Sequence, residues 1–168
     1  MDIQASLTGS PTTLAALLSH PSRANALEVA IAMCKAAWST LNDELLSQGY
    51  DEEALDLNEG SRYDQYCEWD GQILEDADAV YHNSTAERQQ ADDRDLEHFE
   101  TYFEVRSHFS PRINALALRT LARDLVAVAE ALSDDELARA LYRVALNEDG
   151  TVDLVRTCRR YAPYFAIN

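Results

Sequence analysis

Residues 110–132 read SPRINALALRTLARDLVAVAEAL, and this stretch decides the fold class. Ser110 before Pro111 is a helix start. The serine hydroxyl can accept from free backbone N–H groups, and proline at the first helical position gives up only an N–H that has no intrahelical partner. Leu118, Leu121, Leu125, Val128 and Leu132 then recur at steps of 3, 4, 3 and 4. That spacing aligns them on one side of a helix, whereas a strand would need strict alternation. A second run has the same grammar. Pro21 opens it, Leu27, Ile31, Cys34, Trp38, Leu41 and Leu45 step by 4, 3, 4, 3 and 4, and Gly49 ends it as a left-handed C-terminal residue. Leu27, Ile31, Cys34, Trp38, Leu41, Leu118, Leu121, Leu125 and Val128 are expected to share one core.

Working outward, Ser10-Pro11 predicts a short helix to about Ser19, and Tyr50 to Gly60 an acidic connection. A third helix is expected over about Ser61–His82, with Tyr66, Ile73, Ala77 and Val80 on one side and a weak point at Gly71. Ser84-Thr-Ala-Glu87 reads as a capping box opening a fourth helix to about Phe109. Its first two turns are polar apart from Ala86 and Ala91, and its second half offers Leu96, Phe99 and Phe103 to a core. Ser133-Asp-Asp-Glu136 is another capping box, for a helix to about Leu146. A turn at Asn147–Gly150 leads to a last helix over about Val152–Tyr161, stopped before Pro163. Nothing is left over for strands. The expectation is one all-α domain over residues 1–168, a helical bundle of about four long helices plus short terminal helices.

Composition agrees. The chain has 168 residues, 46% of them apolar and 26% charged, with five Gly and four Pro, too few for a many-turned β architecture. The N-terminus has neither the basic residues nor the apolar run of a signal peptide, and no apolar stretch nears the roughly 20 residues that cross a bilayer. A soluble, cytoplasmic protein without membrane partners is expected. Cys34, Cys67 and Cys158 form no C-x-x-C pair and are expected to be buried, reduced thiols.

The motifs that carry chemistry are weak. Asn147–Asp153 resembles a calcium loop, but aligning Gly150 on the loop glycine puts Ala145 at the first ligand and Arg156 where a bidentate Glu belongs. Di-metal bundles use inward Glu and Glu-x-x-His pairs. No Glu-x-x-His occurs, and the nearest substitutes are Asp95/His98, Asp78/His82 and Glu104/His108. Acidic pairs three apart (Glu53/Asp56, Asp56/Glu59, Glu75/Asp78, Asp92/Asp95, Glu97/Glu100) are no more frequent than local acid density produces. There is no nucleophile elbow, phosphate loop or Cys–His arrangement. No catalytic residue, metal or cofactor is therefore expected, a metal-dependent carboxylate bundle enzyme being the remote alternative. Arg112, Arg119 and Arg123 share a helix face, where pairing with nearby acids is the simpler expectation.

The charge is the informative feature. The chain carries a net charge of −16. Asp43 to Glu104 holds 20 Asp/Glu and three Arg, while the other residues hold 10 acids against 11 Lys/Arg. Acids packed so closely repel one another, so the segment has either given up stability or awaits a cationic partner. Direct nucleic-acid binding is disfavoured, because phosphate meets the same sign of charge. Eight of the fourteen aromatics (Tyr50, Tyr63, Tyr66, Trp69, Tyr81, Phe99, Tyr102, Phe103) fall in this segment, and aromatics among charges are typical of interface anchors. The expected partner surface comprises Asp64, Glu68, Trp69, Asp70, Glu75, Asp76 and Asp78 on the third helix. Asp92, Asp93, Asp95, Glu97, Glu100 and Glu104 complete it on the fourth. The partner implied is a basic protein such as a nuclease or nucleic-acid-binding complex. Two roles fit: a nucleic-acid mimic of the anti-CRISPR or anti-restriction kind, or an immunity protein or antitoxin that neutralises a toxin. The likeness to such mimics is one of charge, not of family.

Overall fold

The computed structural model describes residues 13–20, 22–51, 55, 57, 59–102 and 109–167, the last seven by their backbone alone. Among the described residues seven helices follow in order: α1 Leu14–Ser19, α2 Arg23–Ser47, α3 Arg62–His82, α4 Ala86–Tyr102, α5 Pro111–Val128, α6 Asp134–Tyr142 and α7 Leu154–Ile167. Those residues form no strand, only an isolated bridge between Leu146 and Val152. The all-α expectation holds. No helix among the described residues is long and apolar enough to cross a membrane.

Capping chemistry fixes most of the helix starts. Ser110 accepts from Ile113 N with Pro111 in the first turn, and Ser133 and Glu136 form the expected box. Three of the first four starts differ from expectation. Thr13 caps α1 and Ser22 caps α2, so the first helical residues come later than Pro11 and Pro21, which both lie outside the described residues. At α4 the expected box at Ser84 and Glu87 is absent. Thr85 accepts from Arg88 N at 3.2 Å instead, while the Ser84 side chain turns back to the end of α3 and donates to the Val80 carbonyl at 2.8 Å.

The ends shift as well. α5 stops at Val128, with Ala129–Leu132 forming a turn, and α6 stops at Tyr142. α7 begins only at Leu154 but runs through Pro163. That costs one hydrogen bond, to the Arg159 carbonyl, and Arg159 is exposed, so water can serve that carbonyl. α3 passes through exposed Gly71 unbroken, with Trp69 and Ile73 buried in the core on either side of it. Gly49 terminates α2 at φ +97, as the sequence implies.

α2 lies at the centre, packed mainly on α5 and α3, with α1, α6 and α7 adding smaller contacts. Its buried seam is Ala26, Val29, Ala30, Met33, Ala37 and Leu41, joined by Ile31, Cys34 and Leu45. This corrects the expected core. Leu27 and Trp38 are only half-buried, and Val128 is 40% exposed. The phase of the seam is set by small residues. Ala26, Ala30 and Ala37 on α2 and Ala115, Ala117 and Ala122 on α5 are all buried, in the pair of helices that share the most extensive packing. Cys34 and Cys158 are buried, and burial pushes each thiol up to about 12; Cys67 is exposed, against expectation, because position 67 lies on the outer flank of α3.

Candidate functional site: the acidic surface of α3 and α4

The phase of α3 separates its acids into two sets. Ser61 and Asp64 form a reciprocal capping box that fixes where the helix begins. From there Gln65, Tyr66, Trp69, Ile73, Asp76, Ala77 and Val80 turn inward. Asp64, Glu68, Glu75 and Asp78 are exposed, and at about 100° per residue they fall within roughly 80° of one another. They form a stripe about 21 Å long at ~1.5 Å per residue. On α4, Asp93, Glu97 and Glu100 are exposed and share a face in the same way, while Asp92 and Phe99 point inward.

Asp76 and Asp70 are held by specific donors, and Asp92 by an ion contact. Asp76 is 6% exposed; the Trp38 indole N–H donates to its Oδ2 at 2.7 Å and the Gln72 amide to its Oδ1 at 3.0 Å. Loss of solvation nevertheless raises its carboxyl above the usual value, the two hydrogen bonds offsetting only part of that effect. Asp70 is half-buried and faces Arg119 of α5. Nη2 donates to Oδ2 at 3.1 Å, while Nε lies 2.8 Å from Oδ1 as an ion contact without hydrogen-bond alignment. Asp92 is 2% exposed and 3.8 Å from Arg112 Nη1. Arg112 also donates from Nε to the Ala77 carbonyl at 3.1 Å and stacks its guanidinium 4.6 Å over the Tyr81 ring. The Tyr81 hydroxyl in turn donates to Asp93 at 3.1 Å. Two arginines of α5 thus tie α3 and α4 to the bundle.

Trp69 is the clearest correction. It is not an exposed anchor: it is 4% exposed, meets Trp38 edge-on at 5.6 Å, and has the Lys35 ammonium 5.8 Å from its ring. Its spacing from Tyr66 and Ile73 already places it on the buried face. Asp76 and Asp92 leave the expected surface for the same reason, and Asp70 and Asp95 are only partly exposed. Glu104, Phe103 and His108 lie outside the described residues. What remains outward is Asp64, Glu68, Glu75, Asp78, Asp93, Glu97 and Glu100.

Few cations answer this outward set. His82 reaches Asp78 at 3.2 Å, but Arg62 and Arg88 point to Glu28 and Glu44 on α2, each at 2.7 Å. Among the described residues no ion pair involves Glu68, Glu75, Glu97 or Glu100.

Among the described residues no three His, Cys, Asp or Glu side chains gather as metal ligands would. The loop at Asn147–Asp153 uses its own acids. Asp149 accepts from Thr151 N at 3.0 Å, Gly150 adopts φ +88, and Asp153 caps α7 by accepting from Arg156 N at 3.0 Å. His98 is half-buried against Phe109, with ring centroids 5.7 Å apart. Comparison with protein-family models, curated proteins and solved structures finds no match to the chain.

Proposed function

We propose that this is a non-catalytic acidic binding protein that inhibits a basic, nucleic-acid-handling protein by laying its α3–α4 surface into that partner's positively charged groove. The observation that carries this reading is the outward carboxylate stripe Asp64, Glu68, Glu75 and Asp78, reinforced by Asp93, Glu97 and Glu100 and answered by few cations. Over its ~21 Å length one DNA strand would present roughly six phosphates. Four carboxylates on α3 and three on α4 bring a comparable number of charges, in two rows, on rigid elements. Such a surface speeds encounter with a basic groove and selects against anionic partners. A nuclease, restriction or CRISPR complex is the class of target that fits.

The test is competition. With the partner captured from cells, excess DNA or RNA should displace this protein, and binding should weaken steeply as salt is raised. An immunity protein bound outside the nucleic-acid site would resist displacement. If binding is indifferent both to nucleic acid and to salt, the mimic reading is wrong.

A further inference from the structure

We propose that the cleft between α3, α4 and α5 seats an apolar anchor from a basic, amphipathic helical segment of the partner, which rests on the reading above and specifies what the partner must carry. The cleft has a volume of about 380 Å³; Leu74, Leu96, Phe99, Leu116 and Thr120 line it, with Glu100 at its lip. Leu74 is 44% exposed and opens onto the cleft, so a partner side chain seated there would take its apolar surface out of water. It stands on the flank of the acidic stripe, with Asp78 one turn later on the same side; on α4 Glu100 lines the cleft, with exposed Glu97 one turn before it. The remaining charge is cancelled locally, because Arg119 at the cleft floor is engaged by Asp70.

A largely apolar cleft whose one arginine is already paired with Asp70, and whose edges carry carboxylates of α3 and α4, specifies its occupant by charge complementarity. The occupant offers a leucine-like side chain inward and Lys or Arg one turn to either side. Phosphate-bearing surfaces, whether nucleic acid or anionic lipid, are repelled by those rims. The cleft also supplies what the buried Trp69 cannot: an anchoring site contiguous with the charged surface, where affinity concentrates while the rims set the rate of encounter.

The probe is a helical peptide with leucines at i, i+4 and i+7 and lysines elsewhere, compared with the same peptide carrying serine for each leucine. Titrated into the full chain, the leucine peptide should bind about tenfold tighter or more, the range that one buried leucine supplies. It should shift the methyl signals of Leu74, Leu96 and Leu116, and Leu74→Gln should remove the advantage while leaving the serine peptide unaffected. Equal binding of the two peptides, or shifts confined to other methyls, overturns the cleft proposal while the acidic surface stands. If the double reversal Glu75→Lys with Glu97→Lys changes neither peptide's binding, the acidic reading itself falls. A concentration-dependent dimer that Leu74→Gln abolishes would assign the cleft to a second copy and also overturn the proposal.

Discussion

The two faces of α3 carry the same residue type to opposite ends. Inward, Asp76 meets an indole N–H and an amide, and Asp70 meets a guanidinium. Outward, no ion pair or hydrogen bond engages Glu68 or Glu75 among the described residues, although Glu68 is only two positions from Asp70 and Glu75 only one from Asp76. The difference is one of phase. A carboxylate on the inner face needs a donor already in place, because an unpaired buried charge is very costly. One on the outer face needs none, and contributes little to stability for the same reason.

The largest expected effect lies on the inner face. Trp69→Ala should destabilise the fold by ~3–5 kcal/mol, read from denaturant melts, as large-to-small changes in a packed core do. A loss below ~1 kcal/mol would mean that Trp69 is not packed as described. Next, Asp76→Ala strands the Trp38 N–H in a partly buried site and should cost ~1–3 kcal/mol. Changes within ±0.5 kcal/mol are instead expected for Glu68→Ala and Glu75→Ala on the outer face, so these single substitutions sharpen the contrast most cleanly.

Asp76 also makes the contrast pH-dependent. Its carboxyl is raised in the folded state, so the folded protein holds that proton more tightly than the unfolded chain. The stability this gives is fully present below the unfolded value of roughly 3.9 and is lost as pH rises through the higher folded value. Asp76→Asn removes this dependence while keeping an acceptor for Trp38. The variant's melting temperature relative to wild type should therefore improve between pH 4 and pH 7. A constant difference across that range would show that burial does not hold the Asp76 carboxyl as proposed.

How much of this was legible in the chain follows from the same logic of phase. Helix existence came through because Ser-Pro starts, capping boxes and steps of three and four are local signals, and Ser110, Pro111, Ser133 and Glu136 behave as read. The centre of the core differs from the spacing of the large residues, because Trp38 and Val128 sit at its edge while the small residues Ala26, Ala30 and Ala37 are fully buried in it. The division of the acids was only half legible. Tyr66, Trp69, Ile73 and Val80 define the inner face, and that pattern alone places Trp69 inside. Pairing Arg119 with Asp70, or Arg112 with Asp92, needs the three-dimensional arrangement of α5 against α3 and α4, which no spacing within one helix contains.

The outward acids are proposed as a binding surface and not merely a hydrated one. This is tested most directly by two charge-matched double reversals, with association rates measured on the captured basic partner. Glu68→Lys with Glu75→Lys alters the stripe; Asp135→Lys with Glu148→Lys makes the same change in net charge at exposed positions on α6 and the following turn. The stripe variant should associate about tenfold more slowly or worse and show a flatter salt dependence, with the control close to wild type. Equal effects from both variants, or none from either, would contradict the account.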